Sequence, residues 1–232
     1  MLNQLIEELN LLKNTAKSQI LQRFFKTWPW EYGEGDIFLW ISVPELRKIS
    51  KKYINLEKND LETLLKSEIH EYRFLALAIV RLNFEQAKDV ENKKGWYEFS
   101  LKNIASINNW DLVDTFVEYV IGPFLYDKDK SLLYKWAISN NLWERRIAII
   151  STYDYIRRWE FEETIAISEI LLQDKHDLIQ KAVWWMLREV GKKDEKVLLV
   201  FLDRYYKIMP RTMLRYAIER LDWEKKKYYM KK

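Results

Sequence analysis

Leu178-Ile179-Gln180-Lys181-Ala182-Val183-Trp184-Trp185 opens the fourth of five loosely alike blocks in this chain, and that recurrence decides the fold. Glu71-Tyr72-Arg73-Phe74-Leu75-Ala76-Leu77-Ala78 opens the first, and Asn109-Trp110-Asp111-Leu112-Val113-Asp114 the second. Leu142-Trp143-Glu144-Arg145-Arg146-Ile147-Ala148 opens the third, and Pro210-Arg211-Thr212-Met213-Leu214-Arg215-Tyr216-Ala217 the fifth. Measured from Tyr72, Trp110, Trp143, Ile179 and Arg211, the steps are 38, 33, 36 and 32 residues. Further apolar-periodic helices, such as Leu61 to Leu65 and Leu132 to Ala137, lie between the openings.

A helix pair repeated every ~40 residues marks a HEAT-like α-solenoid of antiparallel helix pairs. Such an array builds one continuous core by stacking neighbours and leaves a concave face, here expected to be basic. The fold class is therefore all-α, with residues 1–232 read as a single domain and the breaks at Gly122-Pro123 and Gly191 read as turns between helices. Upstream, Leu2, Leu5, Ile6, Leu9 and Leu12 recur at helical spacing, and a second stretch carries Ile20, Leu21, Phe24 and Phe25. Tyr32-Gly33-Glu34-Gly35-Asp36 is the only glycine-dense loop, where glycine permits angles that other residues resist. Ser42-Val43-Pro44-Glu45 then starts a helix with a Ser cap, an early Pro and a Glu three residues on. Its body, Leu46 to Tyr53, carries Arg47, Lys48, Lys51 and Lys52.

Composition narrows the chemistry. Five Gly and four Pro in 232 residues argue against an all-β or disordered chain. Cysteine is absent, and His70 and His176 are the only histidines. A disulfide framework, a thiolate nucleophile, a zinc cluster and a serine-histidine triad therefore lack raw material, and no metal or other cofactor is expected. Acid, base or electrostatic work falls to Asp and Glu. A net charge of +4 favours a polyanionic partner. No apolar run approaches the ~20 residues of a membrane span, and the first residues read as an amphipathic helix and not a secretory signal. The expectation is a cytoplasmic monomer, associated with the nucleoid if its partner is DNA.

Eleven tryptophans are the other signal. Trp110 has Asp114 four residues on, Trp143 has Arg146 three on, and Trp185 has Arg188 three on, which places each charge on the same helix face as its ring. An aromatic cluster holding one carboxylate and one guanidinium suits a flat, cationic ligand on a polyanion, as an alkylated base in DNA is. Against this stand plainer readings. Large aromatics mostly serve burial, and Trp28, Trp30, Trp96, Trp136, Trp159, Trp184 and Trp223 are assigned to the core. Asp111 and Asp114 also suit a helix start, and two carboxylates three apart lack the further ligands of a metal site. Arg145 and Arg146 also suit pairing with acids of a neighbouring helix. His70 and His176 read as ordinary surface or interhelix residues, and Lys225-Lys226-Lys227 with Lys231-Lys232 as a solvated end.

The blocks resemble, in one order, the bacterial HEAT-like-repeat DNA glycosylases of the AlkD type, in the DNA alkylation repair family. Tyr32-Gly33-Glu34-Gly35-Asp36-Ile37-Phe38-Leu39 with Val43-Pro44-Glu45-Leu46-Arg47 begins the match, which continues through Trp110-Asp111-Leu112-Val113-Asp114 and Trp143-Glu144-Arg145-Arg146. Gln180-Lys181-Ala182-Val183-Trp184-Trp185-Met186-Leu187-Arg188-Glu189 ends it. The resemblance implies hydrolysis of the N-glycosidic bond of cationic N3- or N7-alkylated purines in double-stranded DNA. It places the catalytic carboxylate on Asp114, its neighbouring ring on Trp110, the backbone-contacting guanidinium on Arg146 and a second lesion-side ring on Trp185. Family members that carry the glycine-rich segment usually have Gly after Phe-Leu, where this chain has Trp40.

A purine alkylated at N3 or N7 is cationic and so already a good leaving group, which makes the general acid dispensable. What remains is to stabilise an oxocarbenium-like sugar and hold a water, which a fixed carboxylate does in glycoside hydrolysis generally. The basic residues Arg47, Lys48, Lys181, Arg188, Arg211 and Arg215 are candidate phosphate contacts. Two other functions remain open: a catalytically silent module binding DNA or RNA by shape and backbone charge, and a protein-binding scaffold. Fold alone does not separate the three.

Overall fold

The computed structural model describes residues 1–231, with the backbone alone for residues 15–19; Lys232, part of the expected solvated tail, lies outside the described residues. All regular structure among the described residues is helical. The order is α1 (Leu2–Leu12), α2 (Thr15–Phe24), α3 (Val43–Lys52), α4 (Lys58–Leu65), α5 (His70–Gln86), α6 (Val90–Lys102), a 3-10 turn (Ile104–Ser106) and α7 (Trp110–Leu125). Then follow α8 (Ser131–Ala137), α9 (Leu142–Ser151), α10 (Tyr153–Arg157), α11 (Glu162–Ile170), α12 (Asp177–Lys193), α13 (Glu195–Tyr205), α14 (Arg211–Ala217) and α15 (Trp223–Met230). The five block openings fall at the starts of α5, α7, α9, α12 and α14.

The chain forms two compact units, Met1–Phe116 and Val117–Lys232. In the first, α5 is the hub, with α3, α4 and α6 packed against it. Every residue from His70 to Val80 is buried, so the helix is enclosed on all sides. Leu5 and Leu9 of α1 and Leu61, Leu64 and Leu65 of α4 are buried too, following their three-and-four spacing. The start of α3 is fixed as its sequence implies: Glu45 reaches back to accept from the Ser42 amide at 3.1 Å and its hydroxyl at 2.6 Å.

In the second unit α12 is the hub, touching α9, α10, α11, α13 and α14. Leu178, Ile179, Ala182, Val183, Met186, Leu187 and Val190 form its buried stripe, leaving Lys181, Trp184, Trp185 and Arg188 off that stripe. Helix α15 is tied to α13: Lys225 bridges Glu195 at 2.8 Å and Asp222 at 2.6 Å, and the Tyr229 hydroxyl donates to Asp203 at 2.7 Å. The lysines of the expected solvated end thus lie partly in a docked helix.

Two expected turns are instead helix interior. Gly122 and Pro123 lie within α7, and Gly191 lies within α12. Their glycines serve close approach. A Cβ at Gly122 would overlap the Ser151 carbonyl oxygen at the end of α9, and one at Gly191 would meet the Leu198 side chain of α13. Four tryptophans assigned to the core are exposed: Trp28, Trp30, Trp159 and Trp223, with Trp30 97% exposed. Trp28 and Trp30 sit between α2 and α3, on a loop ordered by its own carboxylates. Glu31 accepts the Trp28 amide at 3.1 Å and Glu34 the Trp30 amide at 2.9 Å.

The two glycines should respond differently to substitution. Gly122→Ala presses on backbone that cannot step aside and should cost about 2–3 kcal/mol. Gly191→Ala meets the end of a flexible side chain and gains helix propensity, so it should stay within about 1 kcal/mol of wild type. Urea unfolding of the two variants gives the comparison; equal losses would contradict it.

Candidate functional site

Three charged side chains, His70, Glu71 and Arg73, are buried in the first turn of α5. Buried charges need partners, and the glycine-rich loop provides them. Gly33 packs beneath the carbonyls of Phe25 and Lys26, where a side chain would not fit, and Gly35 turns the chain at φ +85. Backbone bonds from Ile37 N–H to the Glu68 carbonyl (2.9 Å) and from His70 N–H to the Ile37 carbonyl (2.8 Å) then staple the loop to the start of α5.

This staple places Asp36, itself buried, against His70 and Arg73. Its carboxylate lies 3.0 Å from His70 Nδ1, accepts from Arg73 Nη2 at 2.6 Å, and accepts from the Asn109 side-chain amide at 3.3 Å. On the other ring edge, His70 Nε2 lies 2.7 Å from Asp111 Oδ2 in the first turn of α7. Burial alone would lower the imidazole pKa, but Asp111 and Asp36 overcome it and raise it to about 9. His70 is therefore an imidazolium at neutral pH, donating from both nitrogens. Burial also opposes ionisation of Asp36, yet the His70 hydrogen bond and the Arg73 charge hold its pKa below the usual carboxylate range. Of the two expectations for His70, surface or interhelix, the structure gives the second: it is 3% exposed and joins the loop, α5 and α7.

The same corner orders the aromatic rings. Phe38 stacks on His70 at 4.5 Å, Phe25 stacks on Phe38 at 4.8 Å, and Trp110 stacks on Phe25 at 5.3 Å and 14°. Phe24 meets Trp110 edge-on at 5.9 Å. Trp110 is thereby held half-buried, with Asp114, also half-buried, one turn further along α7. The Glu71 carboxylate accepts the amides of Leu39 and Trp40 at 2.9 and 2.8 Å, and Trp40 adopts the left-handed φ of 62. Between the loop, the end of α2, α3 and α5 lies a cavity of about 300 Å³.

The second unit holds the other expected site residues. Arg146, on α9, is 5% exposed and donates from Nη1 to the Leu178 carbonyl of α12 at 2.6 Å. Its neighbour Arg145 pairs with Asp174 at 2.7 Å, which fits the plainer expectation for that residue. On α12, the Trp185 ring lies 5.8 Å from Tyr153. Arg188 lies over Trp184 at 4.8 Å and pairs with Glu219 at 2.8 Å. Trp184 is only half-buried, stacked on Tyr216 at 4.7 Å. Lys181 is exposed and pairs with Asp177 at 2.9 Å, and Arg47 is exposed on α3. His176 serves as the cap of α12, accepting the Leu178 amide at 3.2 Å. Among the described residues no group of three or more His, Asp or Glu is placed to hold a metal ion, and no helix is long and apolar enough to cross a membrane.

Residues 5–221 match the model of a family described as DNA alkylation repair enzyme. The chain belongs to that family. Among solved structures, a protein described as a predicted DNA alkylation repair enzyme from Enterococcus faecalis is similar at a TM-score of 0.71 and 17% identity, covering 91% of this chain and 97% of that one. AlkD2 from Streptococcus mutans is similar at 0.59 and 18% identity, covering 88% and 98%. At these identities the likeness is one of fold. No curated protein matches the sequence. Family membership places this chain among enzymes of DNA alkylation repair, with alkylated DNA as the class of substrate.

Neither Asp36 nor His70 was legible as part of a site, because their partners are 34 and 41 residues from His70 in sequence. A faint signal was present: Ile69-His70-Glu71-Tyr72-Arg73 sets three charges at the head of an otherwise apolar run.

The imidazolium makes stability depend on pH. With a folded pKa near 9 against about 6.5 unfolded, its contribution is complete below about pH 6.5 and disappears as pH rises through 9. Urea unfolding should show a loss of roughly 3 kcal/mol across that window, and His70→Gln should lose most of the slope. A wild-type stability flat from pH 6.5 to 9.5 would contradict the buried imidazolium.

Proposed function

We propose that this repair enzyme is a monofunctional DNA glycosylase, hydrolysing the N-glycosidic bond of cationic N3- or N7-alkylated purines in duplex DNA. Asp114 carries the chemistry. It is half-buried on α7, one turn from a Trp110 ring fixed by Phe24 and Phe25. That pairing of a carboxylate with an immobilised aromatic face is the observation that supports the assignment best. The carboxylate stabilises positive charge on the sugar as the bond breaks and holds water for attack. The Trp110 face attracts the same positive charge, an interaction worth ~0.5–2 kcal/mol. No lysine Schiff base is required, because water is the nucleophile.

Trp185 is assigned to the lesion side and Arg146 to the DNA backbone. Arg146 suits that role by being held in place: the Leu178 carbonyl orients its planar fork, and a fork fixed beforehand loses less entropy on gripping phosphate. Arg47, Lys181 and Arg188 are further backbone contacts. Lys181 and Arg188 exchange their pairs with Asp177 and Glu219 for phosphate, a modest loss because surface pairs are weak. The whole chain is proposed to act as one domain and as a monomer.

Release of 3-methyladenine and 7-methylguanine from methylated duplex DNA at neutral pH tests the assignment. Asp114→Asn should reduce single-turnover release at least 100-fold while DNA affinity stays within about threefold of wild type. Undiminished release by Asp114→Asn would remove Asp114 from catalysis. No release by wild type, with salt-sensitive DNA binding intact, would favour the silent-binder alternative.

A further inference from the structure

The helix that carries Trp185 does not by itself fix its ring. Trp185 is half-buried and lies off the stripe of α12 in which Ala182, Val183 and Met186 are packed. An aromatic side chain that swings freely must be ordered each time it meets a ligand, and that ordering weakens binding or slows reaction. In the first unit, Trp110 is ordered in advance by rings that end on the His70 imidazolium. The second unit holds a separate device beside Trp185.

Tyr153 and Arg157 begin and end α10, four residues apart and therefore on one face. The Tyr153 ring meets the Trp185 ring at 5.8 Å and 40°, within the range of attractive aromatic pairs. Arg157 in turn lies over the Tyr153 ring at 5.0 Å and over the Tyr119 ring of α7 at 5.3 Å. A row thus runs from Tyr119 through Arg157 and Tyr153 to Trp185.

Arg157 is itself tied down. Its Nη2 donates to the Glu118 carbonyl at 3.0 Å, and its guanidinium reaches the buried carboxylates of Glu118 and Asp154, each at 3.4 Å. Arginine suits this place and lysine does not. A planar guanidinium stacks on aromatic faces while its edge donates hydrogen bonds, whereas an ammonium is a point charge on a flexible stem. The charge is met within the protein, which suits fixing a ring better than gripping a phosphate.

We propose that Tyr153 is the positioning residue for Trp185, and that Arg157, seated on the faces of Tyr153 and Tyr119, fixes Tyr153 in turn. Both act through Trp185 and need not touch the substrate. The row is read from geometry alone; its bearing on excision rests on the lesion-side assignment of Trp185 above.

A double-mutant cycle separates positioning from general support of the fold. Single-turnover release from methylated duplex DNA is measured for wild type, Tyr153→Leu, Trp185→Ala and the double variant. Tyr153→Leu should slow release about tenfold, with duplex affinity kept, and should have no further effect once Trp185 is replaced. Tyr153→Phe, which keeps the ring, should stay within about twofold of wild type. A second readout does not use activity. In protein labelled with 5-fluorotryptophan, the Trp185 resonance is the one missing from Trp185→Ala. It should move in Arg157→Lys, because the loosened Tyr153 passes the change on, and should change little in Tyr153→Phe.

Equal slowing by Tyr153→Leu in both backgrounds would mark a role in the fold alone and overturn the proposal. Undiminished release by Tyr153→Leu beside a slow Trp185→Ala, or a Trp185 resonance unmoved by Arg157→Lys, would overturn it too. Should Tyr153→Leu not unfold cooperatively, Arg157→Lys takes its place in the cycle with the same expectation. Absence of release by wild type, or undiminished release by Trp185→Ala, removes the lesion-side assignment of Trp185. The fluorine spectra then decide the positioning row by themselves.

Discussion

An imidazolium buried between two carboxylates holds the first unit together. His70 bonds Asp36 on one edge and Asp111 on the other, and thereby joins the glycine-rich loop, the start of α5 and the start of α7. Such a group is costly to bury and more costly to leave half-paired, because removing one partner strands a charge away from water. The neighbouring geometry follows from keeping it paired. Asp36 must reach inward, so the loop must turn at Gly35 and pack tightly at Gly33. Phe38 then lies on the imidazolium, Phe25 on Phe38, and Trp110 on Phe25. The ring proposed to face the lesion is thus positioned by a stack that ends on a buried charge.

This arrangement separates two tasks that share α7. Asp111 is committed to His70, while Asp114, one turn on, is the carboxylate proposed for catalysis. A sequence with two acids three apart invites either for either role; the 2.7 Å contact with His70 ties Asp111 to the buried corner.

The fold was largely readable because helix repeats leave their period in the sequence. All five block openings coincide with helix starts, and the Ser42–Glu45 cap forms where its residue types require. The errors came from residues whose role depends on a neighbour far away in the chain. Gly122 and Gly191 look like breaks, yet they are contact points for Ser151 and Leu198. Trp28 and Trp30 look like core, but the loop that carries them satisfies its amides with Glu31 and Glu34 and presents the rings outward. The site shows the same divide. Trp110 and Asp114 share a helix turn and could be paired by spacing, whereas Asp36, His70 and Asp111 meet only in the folded chain. Trp40 stood out as a departure in sequence, and its left-handed backbone gives that departure a physical cost.

One carboxylate suffices for the proposed reaction only if the leaving group is already cationic. Single-turnover release from duplexes carrying either N7-methylguanine, which is cationic, or O6-methylguanine, neutral and of equal size, tests it most directly. Release of the first with none of the second is the predicted result. Comparable release of both would show that leaving-group charge does not drive the reaction and would contradict catalysis by Asp114 alone.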